Sequence, residues 1–482
     1  MATSSNHSRP LIPDTLASRY ASGPMCRVWS PEGRVVLERE LWIAVMKAQR
    51  ALGVDIPEAA IRAYENVKDK VDFASIERRE RRNRHDVKAR IEEFCALAGH
   101  EWIHMGMTSR DVTDNVEQLQ VRRSLEILKN KAVAALAGLA ALAAQHRETL
   151  IVARTHDVPA QPTTLGKRFA MFGEELLLGF EGLEHLLAAY PLRGMKGAVG
   201  TRADQITLLG GDPASAEKLE RIIADELGFA RVLDNVGQVY PRSLDFEVVS
   251  ALYRVGAGLS SFAVSLRLMA GHELASEGFG KDQVGSSVMP HKMNARNCER
   301  INGFQVVLGG YLEMVARLAG GQWNEGDVSC SIVRRVALPS AMFTLDGALE
   351  TFLTVLAEME VLEQAIAGEL RRMLPFLATT TLLMEAVKRG AGREAMHERI
   401  RDHSLAVVRE LRAGSLSEND LAERLGADPD YPLSADDVRS VLADPRRFIG
   451  AAPAQVDAFT ARVAEIAARF PEAAAYRPEP II

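Results

Sequence analysis

The stretch NVEQLQVRRSLEILKNKAVAALAGLAALAAQH, residues 115–146, contains no proline and a single glycine, Gly138. Nothing in it punctuates a helix, and its Ala-rich second half suits a helix that neighbours approach closely. A helical pattern longer than about 25 residues exceeds the usual globular length and points to a bundle or coiled-coil-like core. The same reading extends outward. Residues 243–276 repeat apolar side chains near i, i+3 and i+4: Phe246, Val249, Leu252, Val255, Leu259, Phe262, Leu266 and Met269. Residues 297–318 and 340–370 read alike. Many of these patterns are apolar on more than one face, as expected of helices buried by neighbouring subunits. Runs of β-type alternation are few, so the expected fold class is mainly α.

At 482 residues the chain is too long for one compact core. Three parts are expected: 1–111, mixing short helices and loops; 112–370, the long-helix bundle; and 371–482, a small α domain whose helices are broken by DPDYPLS and DPRRF. Net charge is −6, with 47% hydrophobic and 25% charged residues, an ordinary soluble composition that argues against a general nucleic-acid binder. Cys26, Cys95, Cys298 and Cys330 lie far apart with no CxxC pair. Neither a zinc site nor a disulfide framework is expected, and reduced cytoplasmic thiols are. The start, MATSSNHSRPLIP, has no apolar core and does not read as a signal peptide. The run at 132–144 is too short and Ala-rich to span a bilayer, so a buried bundle helix is expected. Phosphate-binding glycine signatures are absent, which disfavours nucleotide hydrolases and dinucleotide enzymes.

Five polar clusters interrupt this helical chain. Arg19-Tyr20 precedes the first helix and alone reads as surface. Arg84-His85-Asp86 follows a run of charge, so a solvated helix face competes with a site in which Asp86 raises the pKa of His85. In MGMTSRDVTDN, residues 105–115, Thr108 and Ser109 offer hydroxyls and N–H groups to an anion, or simply cap a helix. In ARTHDVPAQPTTLGK, residues 153–167, Thr155 and His156 stand in a polar turn with two prolines. The fifth, GSSVMPHKMN at 285–294, places two serines, a histidine, a lysine and an asparagine behind a glycine. It follows neither the GxSxG elbow nor an SxxK pattern. Without a nucleophile signature, proton transfer is the more natural task, and histidine suits it at neutral pH.

Here a resemblance becomes specific. GSSVMPHKMN resembles the signature loop of the fumarase/aspartase superfamily, and TSRD, RTHDVPAQPTT and this loop occur in that superfamily's order and spacing. Within it, the RY and RHDV stretches, NVGQVYPR (235–242), NCERING (297–303) and QWNEGDVSCSIVRR (322–335) resemble the adenylosuccinate lyases over nearly the whole chain.

The resemblance implies a three-domain fold with a long central bundle, assembled as a homotetramer whose active sites are shared between subunits. It implies a carbon–nitrogen lyase that eliminates fumarate from adenylosuccinate, giving AMP, and from SAICAR, giving AICAR. No cofactor and no metal ligand set are expected. Ser286 would be the general base and His156 the general acid. Lys292 and Asn294 would stabilise the carbanion. His85 and Asp86 would hold the substrate, with His85 near the phosphate, Thr108 and Ser109 would hold a succinyl carboxylate, and Arg84, Thr155 and Ser287 would also bind substrate. Gln238 would orient the substrate. Arg19, Tyr20, Arg300, Ser331 and Arg335 would complete the phosphate and purine end. A serine alcohol is far too weak a base unaided; a dry, cationic surround on closure of a Gly280/Gly285-flanked loop would be required.

Two departures stand out. Ala295 follows Asn294 where the pattern has proline, and Gly326 stands in WNEGD where many relatives have an arginine that binds phosphate. Cys298 and Cys330 lie near the implied site, with packing as their default role. The rival readings are argininosuccinate lyase or a carboxymuconate cycloisomerase, which share the loop, and a non-catalytic helical scaffold. The RHDV stretch and the phosphate-end residues favour the purine substrate; the presence of Ser286, His156, Lys292 and Asn294 argues against a scaffold.

Overall fold

The computed structural model describes residues 13–278, 288–289 and 291–478. Five long helices form the centre: Ser109–Gln145, Leu165–Ala189, Ser243–Gly271, Arg296–Ala316 and Cys330–Glu358. Two glycines let two of them meet backbone to backbone. A Cβ on Gly179 would lie 2.9 Å from the Val255 Cα, and one on Gly258 would lie 2.9 Å from the Leu176 Cα. Phe262 fills the space beyond, edge-on to Phe172 and Phe352 and tilted against Phe169. Such aromatic pairs add ~0.5–1.5 kcal/mol each beyond the area they bury.

The mainly helical expectation holds. The helix read at 115–146 spans Ser109–Gln145, and the one read at 340–370 is two. Its first part, Cys330–Glu358, runs through Pro339; the second is Glu363–Leu377. Between them Glu360–Val361 pairs with Ala275–Ser276, and the Leu362 N–H donates to the Leu274 carbonyl at 3.0 Å. Tertiary pairing thus overrides a continuous apolar pattern.

Three of the helices, Ser109–Gln145, Ser243–Gly271 and Cys330–Glu358, are by length and composition apolar enough to cross a membrane. The expectation that residues 132–144 are too short therefore applies to that run and not to its helix. What these helices bury is charge paired between them. Lys131 contacts Asp346 and lies 2.6 Å from Glu350. Arg334 meets Asp245 at 2.7 Å and Glu117 at 2.5 Å. Such reciprocal pairing belongs to a bundle core, because unpaired charge there is prohibitive.

In the N-terminal part, Trp42 of helix Pro31–Ala51 packs on Phe94 of helix Asp86–Ala98, which Tyr64 of helix Glu58–Val67 meets edge-on. Past Leu377 a separate apolar cluster forms around Leu382, Ile400, Leu421 and Val438. Helix Ala452–Arg469 then returns to the bundle through Val456, Phe459 and Val463. Gly173 makes room for the Phe459 ring, and Tyr476 donates to Glu350 at 2.5 Å.

Candidate active site

The helix Ser109–Gln145 starts with Thr108 at its N-cap, where the Asp111 carboxylate accepts from the Thr108 N–H at 2.8 Å. Asp111 is itself buried and fixed by Arg193 at 2.6 Å. Thr108 and Ser109 thus sit on a rigid helix start whose dipole favours an anion. The cap and anion readings of this stretch are compatible.

His85 caps the next helix, Asp86–Ala98, its Nδ1 accepting from the Lys88 N–H at 3.3 Å. Its Nε2 lies 3.4 Å from the Ser109 Oγ. With Nδ1 accepting, Nε2 carries the proton in the neutral ring. Arg84, exposed, holds the left-handed conformation that ends the preceding helix, at φ 54°. One Asp86 oxygen lies 3.7 Å from the His85 Nδ1, and the other meets Arg90 at 3.1 Å. Burial alone would raise the Asp86 pKa, but Arg90, the Val87 N–H and Arg34 together outweigh it and hold the carboxyl below its ordinary value. Asp86 thus touches both His85 and an arginine on its own helix, and accepts from the Val87 N–H at 2.8 Å, ordering the start of His85's helix.

His104 is a residue the sequence reading passed over. It sits in the loop before Thr108 with φ 65°, rare for a non-glycine residue. The Trp42 indole N–H donates to its Nδ1 at 3.3 Å. Burial pulls its pKa down to about 4, so the ring is neutral at neutral pH. Its position just before the TSRD motif was the available signal.

The other helix start near this cluster is that of Cys330–Glu358. Arg110 donates to the Ser331 Oγ at 3.1 Å, joining two helices whose starts are far apart in sequence. Arg335, one turn on, is exposed. Between Ser331 and the bundle lies the buried set of Arg334, Asp245, Glu117 and Tyr240. Gln238 is half-buried in the loop above it, its N–H donating to the Glu325 carbonyl at 2.7 Å.

Tyr20 and Arg300 also meet, the guanidinium 5.3 Å from the ring centroid, while Arg19 is exposed. Phe304 braces the ring edge-on at 5.2 Å.

The RTHDVPAQPTT stretch is a β-hairpin, Leu150–Thr155 with Val158–Thr164, where the sequence suggested only a turn. Two prolines disguise it, at 159 and 162. Thr155 and His156 stand exposed at its tip. His156 and Asp157 both have positive φ, 54° and 59°, in a two-residue turn that normally favours Asn-Gly. Holding a histidine there costs of order 1–2 kcal/mol, and strain of that kind collects at functional positions. Asp157 lies 3.4 Å from His272, at the end of helix Ser243–Gly271.

Of the signature loop, Ser286, Ser287 and the flanks Gly280 and Gly285 lie outside the described residues. Its stem is described. Buried Glu277 accepts from the Asn297 and Cys298 N–H groups, each at 3.0 Å, so one carboxylate ties the chain before the loop to the helix after it. Lys292 is exposed and Asn294 half-buried. Cys298 is buried against Glu277, and burial pushes its thiol pKa well up, consistent with packing.

The candidate residues thus gather in separate groups: His85, Thr108, Ser109, Ser331 and Gln238; Tyr20 and Arg300; Thr155 and His156; Lys292 and Asn294.

A family profile described as lyase matches residues 27–310, and one described as adenylosuccinate lyase C-terminus matches 375–459. The chain belongs to the adenylosuccinate lyase family of the fumarase/aspartase superfamily. It is 34% identical to adenylosuccinate lyase of Schistosoma mansoni over 449 residues, covering 92% of this chain and 93% of that one. It is equally 34% identical to adenylosuccinate lyase of Saccharomyces cerevisiae over 454 residues, with the same coverage. Among solved structures, a fumarate lyase from Mesorhizobium sp. BNC1 superposes with TM-score 0.77 at 22% identity, over 94% of this chain and 100% of that one. A 3-carboxy-cis,cis-muconate lactonizing enzyme from Pseudomonas putida gives 0.79 at 21%, over 94% and 99%. These two likenesses establish the superfamily fold.

Proposed function

We propose that the chain is a carbon–nitrogen lyase that eliminates fumarate from adenylosuccinate and from SAICAR. The observation that carries this over its superfamily rivals is a second anion site beside the Thr108–Ser109 helix start: the start of helix Cys330–Glu358, with Ser331 and Arg335, which Arg110 joins to it. Its N–H groups, hydroxyls and cations suit a phosphate dianion, which neither argininosuccinate nor a carboxymuconate carries.

In the proposed mechanism Ser286, activated as its alkoxide in the closed loop, takes the proton from the carbon next to a substrate carboxylate. Lys292 and Asn294 stabilise the charge that develops on that carboxylate. The carbon–nitrogen bond breaks as His156 gives the leaving nitrogen a proton. Thr108, Ser109 and Ser287 hold carboxylate, with Thr155 beside His156. Gln238 orients the substrate. Arg19, Tyr20, Arg300, Ser331 and Arg335 hold the phosphate and purine end, with His85 at the phosphate and Arg84 and Asp86 behind it. Proton transfers and the bond cleavage balance with no cofactor.

The assembly we propose is a homotetramer with shared sites, in the cytoplasm, built from parts 1–111, 112–370 and 371–482. Large apolar side chains left uncovered on the central helices support it. Val306 is 77% exposed and Ile332 70%, with Met171, Leu178, Val264 and Leu268 also bare. Such faces in a long-helix bundle suit a second copy.

The test is an absorbance assay on purified protein with adenylosuccinate, with fumarate and AMP identified by chromatography. Silence there, with turnover of argininosuccinate or a carboxymuconate, would overturn the purine assignment and keep the loop chemistry.

A further inference from the structure

We infer that Arg110 is a ligand of the substrate's phosphate and sets the preference for a phosphorylated substrate; this rests on the reaction proposed above. Arg110 is the second residue of helix Ser109–Gln145, and Ser331 the second of helix Cys330–Glu358. The guanidinium spans the gap between the two starts. Its Nη2 donates to the Ser331 Oγ at 3.1 Å, and its Nη1 donates to the Asp114 Oδ1 at 3.2 Å.

Asp114 does not cancel this charge by itself. It is fully buried, and its other oxygen accepts from Arg242 at 3.1 Å. Arg193 and Arg334 also act on it, and together these cations outweigh burial and hold its carboxyl below the ordinary range. Asp114 therefore anchors Arg110 in one orientation while being shared among several guanidinium groups. The side chain of Arg110 remains 14% exposed. A neutral hydroxyl is a weak partner for a guanidinium, and a phosphate oxygen is a strong one. Asp327 is also in the field of Arg110, but its oxygens are occupied by Ser329 and by the Trp323 indole N–H.

The neighbours favour the same ligand. Ser109, beside Arg110, faces His85, and Arg335 lies one helical turn from Ser331. Both helix starts present positive dipole ends. Position 326 cannot supply a cation in this fold. Gly326 has φ 112°, and a Cβ there would lie 2.4 Å from the Val239 Cγ2. Arg110 does reach the start of helix Cys330–Glu358, through Ser331.

The experiment compares Arg110→Gln and Arg110→Lys with the wild type on adenylosuccinate and on succinyladenosine, the same molecule without its phosphate. Loss of a charge-assisted contact predicts that Arg110→Gln lowers the ratio of the two kcat/KM values by about 10–100-fold. Arg110→Lys is expected to keep part of the ratio, because it restores charge without the two-pronged geometry. A ratio unchanged in both variants would overturn the inference, since a structural role weakens both substrates alike. Should Arg110→Gln fail to fold, Arg110→Lys with competition by inorganic phosphate reads the same contact: weaker inhibition than in wild type supports the inference, and equal inhibition overturns it. A wild type inert toward adenylosuccinate would instead remove the reaction itself, and this role with it.

Discussion

The Gln238 N–H donates to the Glu325 carbonyl at 2.7 Å, joining the 235–242 loop to the 322–329 loop. Two glycines make the approach possible. A Cβ on Gly237 would lie 2.3 Å from the Glu325 oxygen, and one on Gly326 would lie 2.4 Å from Val239. Gly237→Ala is therefore expected to push the loops apart, at ~1–3 kcal/mol for the overpacking. The KM for adenylosuccinate should rise as Gln238 moves. Urea midpoints and steady-state kinetics check this; an unchanged KM in a destabilised variant would mean that the tie does not position Gln238.

Burial lowers the His104 pKa from 6.5 to about 4, so folding favours the neutral ring. Above pH 6.5 neither state binds the proton and the full stability is present. As pH falls from 6.5 toward 4 the unfolded chain takes up the proton first, and ~1–3 kcal/mol is lost. Protonating Nδ1 would also break the bond from Trp42. His104→Asn keeps a side chain that tolerates positive φ and removes the titration. Denaturant midpoints between pH 4 and 7 should fall less steeply in the variant. Parallel slopes would show that another group dominates the acid limb.

The parts of this molecule that could be read from sequence are those written in local pattern. Unbroken apolar periodicity gave the long helices, and contiguous motifs singled out His85, Thr108, Ser109 and His156 as candidates. Contacts between distant residues left no such trace. Nothing local distinguishes Arg334 as buried and Arg335 as exposed. Prolines 159 and 162 hid a hairpin, because strand reading penalises proline and an edge ribbon tolerates it. The end of the helix near Glu358 is set by pairing with residues 275–276. His104 and Arg110 sat inside or beside a motif already noted, but their roles depend on Trp42 and Ser331, far away in the chain.

Lys131 is buried between Asp346 and Glu350 and also donates to the Ser22 Oγ at 2.9 Å. Replacing it by methionine keeps the volume and strands two carboxylates in the bundle. The expected loss is ~3–5 kcal/mol. Lys131→Met with Asp346→Asn and Glu350→Gln removes the stranded charge and should recover part of it. Thermal unfolding of the single and triple variants decides: equal losses would mean that packing, and not charge, holds this region.

His85 stands with Ser109 at one helix start, Ser286 belongs to a loop whose stem Glu277 ties to helix Arg296–Ala316, and uncovered apolar faces lie along the bundle. If each site draws these groups from different subunits, His85→Ala and Ser286→Ala damage different halves of it. Each variant alone should lose most turnover. Unfolded together and refolded as hybrids, they should regain activity, because some sites then receive both intact residues. The regain should need mixing before refolding and should vanish when the variants are refolded separately and then combined. Light scattering on the same samples should give a tetramer. A mixture as inactive as its parts would place both groups in one subunit's site, and an active monomer would remove shared sites altogether.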